Sequence, residues 1–212
     1  HRQVSRAGEQ LERVSARRLR VAALISGRGS NLKALLDAAA DPACPFQIVH
    51  VFSNRPDAGG LAHAAAAGVP ATVIDHKLFA SREAFDTALD DALAAVDPDV
   101  VAFAGFMRIL TNAFVERWRG KAVNIHPSLL PLFKGLHPQA QALAAGVAVS
   151  GCTVHWVTPG VDEGPVIAQA EVPVLPGDTE DALAARILVA EHRLYPSALA
   201  MIAGGAAKFP ED

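Results

Sequence analysis

Asn124 and His126 are separated by one residue. Asp162 stands further on, in a loop crowded with glycine and proline, Thr158-Pro159-Gly160-Val161-Asp162-Glu163-Gly164-Pro165. An amide donor, a titratable imidazole and a carboxylate are groups that stabilise a developing oxyanion and move a proton. A nearby carboxylate favours the imidazolium form of His126, making it a proton donor or an electrostatic stabiliser, while Asn124 offers its amide hydrogens. The plain alternative is a histidine that caps a turn and an asparagine that satisfies loop backbone. Nucleophilic catalysis does not fit, because Ser128 lacks a glycine elbow. A metal centre is not indicated either: the eight histidines are scattered, with no pair at ligand spacing on one helix.

Two further places carry chemistry. Gly27-Arg28-Gly29-Ser30-Asn31 follows an apolar run and precedes helically spaced Leu32, Leu35, Leu36 and Ala39. Strand, glycine turn and helix present backbone N–H groups to an anion. No Gly-Lys-Ser/Thr follows, the third glycine of a dinucleotide fingerprint is missing, and the second strand ends in Ser53-Asn54 where ribose recognition wants an acid. A structural turn and a seat for a single phosphate, held by the amides of Gly29, Ser30 and Asn31, are the readings left. Glu191 falls one helical turn from Ile187 and Leu188, on an apolar face where an unpaired carboxylate is costly. A basic residue or a ligand must pair it. Phe103 to Leu110 is a glycine-broken apolar turn, either ordinary core or a wall for a flat aromatic ligand.

These residues need elements to hold them. Lys121 to Ile125 reads as a strand ended by Pro127, so Asn124 and His126 share a face where the strand gives out. In open parallel sheets that edge binds ligands. Val21–Ser26, Ile48–Ser53, Ala71–Ile74 and the fully apolar Val100–Ala104 read as strands, with helices expected over Gly60–Gly68, from Ser81 to Val96, and over Thr111–Trp118. Beyond Pro131 the spacing predicts a helix over Gln139–Ala145 and period-two strands over Cys152–Val157 and Val166–Val172. A long helix capped by Asp178 or Thr179 follows, which Pro196 is expected to kink or end. The fold class is α/β: one Rossmann-like domain, a mainly parallel sheet flanked by helices, with an antiparallel extension in the C-terminal part.

Composition narrows the function classes. The 212 residues are 51% hydrophobic and 19% charged, which suits one domain with a large core. The net charge of −3 gives no footprint for nucleic acid, and no apolar run reaches the length of a membrane span. Cys44 and Cys152, far apart, form neither a disulfide framework nor a zinc cluster and fit a reducing compartment. His1–Arg20 carries six arginines and no apolar core of a signal peptide. It is expected to be an extension, a tag remnant or a poorly ordered helix, outside a domain spanning residues 21–212.

Ser26-Gly27-Arg28-Gly29-Ser30-Asn31, Phe52-Ser53-Asn54, Ala104-Gly105-Phe106-Met107-Arg108-Ile109-Leu110, Asn124-Ile125-His126-Pro127-Ser128-Leu129-Leu130-Pro131 and Asp162-Glu163-Gly164-Pro165 together carry a resemblance. In this order, from about Val21 to Ala203, the chain resembles the phosphoribosylglycinamide formyltransferases, folate-dependent enzymes of purine synthesis. The resemblance implies that Asn124, His126 and Asp162 are the catalytic trio, that Gly29, Ser30 and Asn31 hold the phosphate of a glycinamide ribonucleotide, and that Glu191 contacts that substrate. It implies a folate site at Arg82, Met107, Arg108, Ile109, Leu110, Asn124, Thr158 and Val161, with 10-formyltetrahydrofolate as co-substrate and no metal. The partners implied are these small molecules, with no nucleic acid or membrane, for a cytoplasmic monomer or homodimer. Where the family commonly shows Thr-His and a basic residue after Gly135-Leu136-His137, this chain has Pro138-Gln139-Ala140. That puts polar substrate contacts from those positions in doubt. A formyltetrahydrofolate hydrolase, which shares the catalytic core, a methionyl-tRNA formyltransferase, which needs more chain and basic surface, and a silent nucleotide-binding module are the rival readings.

Overall fold

Alternation along the first strand decides the layering. Leu19–Ile25 (β1) sends Val21, Ala23 and Ile25 to one side and Ala22 and Leu24 to the other, and all five are fully buried. A strand buried on both faces belongs inside a parallel sheet covered by helices. The remaining strands are Phe46–Ser53 (β2), Ala71–Val73 (β3), Val100–Phe103 (β4), Ala122–His126 (β5), Val149–Trp156 (β6) and Val166–Pro173 (β7). In the computed structural model, which describes residues 17–211, they form one seven-stranded sheet ordered β3-β2-β1-β4-β5-β6-β7. Neighbours from β3 to β5 run parallel; β5–β6 and β6–β7 are antiparallel. This is the α/β arrangement expected, antiparallel extension included.

Helices Ser30–Ala39 (α1), Gly60–Ala66 (α2), Arg82–Val96 (α3), Asn112–Arg117 (α4), Pro138–Ala145 (α5) and Glu180–Ala203 (α6) cover the sheet. One face packs Leu32 and Leu35 of α1 with Tyr195 and Leu199 of α6. The other packs Phe85, Leu89 and Leu93 of α3 with Phe114 of α4. Ser81, Thr111 and Thr179 each accept a hydrogen bond from the backbone N–H three residues on, satisfying a first-turn donor at the starts of α3, α4 and α6. Of the two caps considered for α6, Thr179 is the one used; Asp178 accepts instead from Leu175 N and pairs with Arg186.

Two expectations are corrected. Arg17 to Arg20 are part of the fold, and β1 begins at Leu19 rather than Val21. Arg18 donates to the carbonyls of Ala39 and Asp41 at the end of α1, and Arg20 to those of Val96 and Asp97 at the end of α3. Cations at helix C-termini satisfy orphan carbonyls and complement the helix dipole. The earlier part of the proposed extension, residues 1–16, lies outside the described residues. Of the two effects expected of Pro196, ending the helix is excluded, since α6 runs on to Ala203. Its ring removes one backbone donor, while fully buried Tyr195, Ala198 and Leu199 hold the surrounding turns against the sheet.

Candidate active site

β5 and β6 pair so that Asn124 stands opposite His155 and His126 opposite Thr153. Residues directly opposite in an antiparallel pair share a face, so four polar side chains form one block at the end of β5. The β6–β7 register shifts between Val154 and His155. Such irregularities re-aim side chains beside functional sites. The loop Thr158 to Pro165 then brings Asp162 back over the block. Its Oδ2 lies 3.4 Å from His126 Nδ1, and its Oδ1 lies 3.9 Å from His155 Nε2. Gly135 N donates to Asp162 Oδ2 at 2.9 Å. Asp162 has φ +52°, a left-handed conformation that Asp tolerates better than most residues. A side chain at Gly164 would run into the Trp156 carbonyl, so the loop can lie this close only with glycine there.

The two histidines are held in different ways. His126 Nε2–H donates to the Phe133 carbonyl at 2.8 Å while Nδ1 faces Asp162. His126 is buried, and its Nε2 is taken by the Phe133 carbonyl. His155 Nδ1–H donates to the Trp156 carbonyl at 2.9 Å. Burial above all lowers the His155 pKa from its ordinary value; the Trp156 carbonyl and Asp162 oppose the shift, and His126 adds to it.

A cleft of about 320 Å³ opens beside this block. Phe106, Ile109, Leu110, Val157 and Val161 supply apolar wall, and Asn124, His155 and Asp162 supply polar groups. Of the residues expected to line a folate site, Arg108, Ile109, Leu110, Asn124, Thr158 and Val161 come together here. Arg82 and Met107 do not. Arg82 is exposed at the start of α3, and the Met107 side chain is 75% exposed while its N–H donates to Ser26 Oγ. His155, Phe133 and Val157 were not among the expected site residues. The alternation of Cys152 to Val157 placed His155 on a definite face, but nothing in the sequence pairs it with Asn124.

The glycine loop stands at the same edge of the sheet. Gly29 precedes α1 with φ +71° and no side-chain cap, which leaves the first amides of the helix without a side-chain acceptor. The loop is pressed against α2: Gly60 N donates to Gly27 O at 3.0 Å, and a Cβ on Gly29 would lie 2.6 Å from Gly60 Cα. Ser26 Oγ donates to Asn54 Oδ1 at 2.5 Å, tying the end of β1 to the end of β2. Behind the loop, Asn31 Nδ2 donates to Glu191 Oε1 at 3.2 Å across 160 residues of chain. Glu191 is 7% exposed, and burial pushes its carboxyl up to about 7 against the opposing influence of Asn31. Asn31 Oδ1 is buried with no partner among the described residues. Among the described residues no basic residue pairs Glu191; the partner it has is the amide of Asn31.

Comparison with known proteins adds an independent finding. The chain is 45% identical to phosphoribosylglycinamide formyltransferase of Escherichia coli (strain K12) over 92% of each protein. It is 51% identical to the trifunctional purine biosynthetic protein adenosine-3 of Bos taurus over 94% of its own length, but it spans only 20% of that much longer protein. The crystal structure of phosphoribosylglycinamide formyltransferase from Brucella melitensis superposes with a TM-score of 0.85 at 52% identity, covering 92% of this chain and 100% of that one. Residues 19–199 match the formyl transferase family, and the chain belongs to that family.

Proposed function

We propose that this chain transfers the formyl group of 10-formyltetrahydrofolate to the amine of 5-phosphoribosylglycinamide, a step of de novo purine (IMP) biosynthesis. The observation that carries this reading is the Asn31–Glu191 contact beneath the glycine loop. It supplies a second half-site, with free helix amides and a buried acid, next to the cleft. A hydrolase that delivers the formyl group to water has no use for one. The relatives of matching length bear the same activity in their names.

The cleft suits the folate: Phe106, Leu110, Val157 and Val161 give it apolar wall, and Asn124 and Asp162 add an amide and a carboxylate. Arg108, Ile109, Leu110, Thr158 and Val161 would hold it. When bound it supplies the formyl carbon, activated as an amide of its nitrogen. Gly29, Ser30 and Asn31 anchor the phosphate of the other substrate, and Glu191, beside Asn31, contacts that same substrate. Asn124 donates an amide hydrogen to the formyl oxygen as charge gathers there. The His126 imidazolium places its charge behind that point rather than donating directly. Asp162 keeps His126 charged and assists transfer of the amine proton to the departing folate nitrogen. The new C–N bond replaces the old one, so no redox partner is needed. Holding both substrates side by side supplies much of the acceleration. The protein works in the cytoplasm as a monomer or homodimer on these two small molecules.

The test is to supply 10-formyltetrahydrofolate with and without the ribonucleotide and follow folate release. Release that depends on the ribonucleotide is expected. Equal release without it selects the hydrolase, and no release under either condition selects a silent module; either outcome overturns the proposal.

A further inference from the structure

His155 is a buried titratable side chain on the cleft wall to which the mechanism above gives no part. Two contacts settle its tautomer. Nδ1 lies 2.9 Å from the Trp156 carbonyl, which only accepts, so Nδ1 carries a hydrogen. Asn124 Nδ2, which only donates, lies 3.3 Å from His155 Nε2, so Nε2 is the accepting nitrogen. Turning the Asn124 amide over would bring its carbonyl oxygen against that lone pair. The structure therefore assigns His155 as a positioning residue: a neutral Nδ1–H imidazole that accepts from Asn124 and fixes which end of its amide faces the reacting group. One hydrogen of the amide is spent on His155, and the second is left for the formyl oxygen. This inference rests on the transfer reading for its consequence, though not for its geometry.

The surroundings keep the two rings in different states. Asp162 on the loop and His126 on β5 are the charged or titratable groups facing His155; Val166, its cross-strand partner on β7, is apolar. One carboxylate serves two imidazoles, and His126 holds it more closely, at 3.4 Å against 3.9 Å. A second imidazolium would be buried beside the first without a carboxylate of its own. Were His155 protonated, Nε2 would carry a hydrogen, lose its acceptor character toward Asn124 and turn to Asp162. Acid should therefore release the amide and lower turnover without touching the phosphate loop.

The first measurement uses the unaltered protein. Long-range nitrogen–proton NMR of its histidines at neutral pH is expected to show His155 with Nδ1 protonated and Nε2 bare. An Nε2–H tautomer or an imidazolium overturns the assignment. The second compares His155→Phe, which keeps a ring but no acceptor, with His155→Gln, which keeps an acceptor near the Nε2 position. His155→Phe should lower kcat about tenfold or more with KM for the ribonucleotide unchanged, and His155→Gln should recover part of the loss. In the pH profile, the acid-side fall of kcat should be smaller in His155→Gln than in the unaltered protein. Adding His155→Phe to Asn124→Ala should cost little beyond Asn124→Ala alone, since the histidine acts through that amide. Wild-type kcat in His155→Phe, or fully additive losses, overturns the proposal. If the phenylalanine variant does not fold, the NMR result decides. Absence of transfer in the wild-type protein would count against the proposed reaction and leave the tautomer to be judged separately.

Discussion

At the scale of single residues, the site depends on where protons and charges are held. Asp162 contacts both histidines and a loop amide, so its charge is central while its shape is unexceptional. Asp162→Asn keeps the shape and tolerates the same left-handed backbone. Steady-state kinetics should show turnover down by about a hundredfold, with KM for the ribonucleotide little changed; near-wild-type turnover would remove Asp162 from the mechanism. Glu191 poses a different balance. Burial raises its carboxyl to about 7, against 4.5 for an unperturbed glutamate. The folded protein thus holds this proton more tightly than the unfolded chain does, and stability falls as pH rises from about 4.5 to about 7. Glu191→Gln should be the more stable protein above that window by up to about 3 kcal/mol, with the difference gone below it. Urea unfolding at acid and alkaline pH reads this directly, and a pH-independent difference would refute it. Asn124, His126, Asp162, Asn31 and Glu191 were all visible in the sequence as unusual polar residues. The contacts that define them were not. Asn124 meets His155 through the register of two strands, and Asn31 meets Glu191 through the packing of α1 on α6. Both are long-range choices that local pattern does not encode.

At the scale of elements, strand–turn–helix punctuation was the readable part. Caps at Ser81 and Thr111 and the apolar run of β4 lie where serine, threonine and β-branched residues placed them, because these signals act within a turn or two of chain. The arginines of residues 17–20 looked like a solvated run, because their acceptors are helix ends distant in sequence. Pro196 looked like a kink or a stop because propensity is local; it is no stop, since burial of its neighbours outweighs one missing N–H. The start of α1 is the element most open to test. Ser30→Asp puts a carboxylate at a helix N-terminus, where it suits the helix, so the variant should fold. The same charge repels a phosphate. Calorimetry should find ribonucleotide affinity reduced about tenfold or more, with folate affinity unchanged; equal losses for both ligands would contradict the phosphate assignment.

For the molecule as a whole, α6 links what the two halves of the site do. Four residues beyond Glu191, fully buried Tyr195 donates its hydroxyl to the Phe103 carbonyl at 2.8 Å, with the Val123 carbonyl at 3.4 Å. The helix that carries the buried acid is thereby bolted to the end of β4 and to β5 near its start. Tyr195→Phe leaves those carbonyls without this donor and should cost about 1–2 kcal/mol of stability, measured as a lower urea midpoint with an unchanged slope. An unaltered midpoint would mean that the hydroxyl contributes nothing to the joint. The Gly29–Gly60 contact has a consequence of another kind. A Cβ on Gly29 would meet the Gly60 backbone, and one on Gly60 would meet Ile25 Cδ1 at 2.6 Å and Gly29 Cα at 3.1 Å, so the glycine loop and the second helix form a single heritable unit. Substitution at one position cannot be compensated at the other, since each change adds bulk to the same gap.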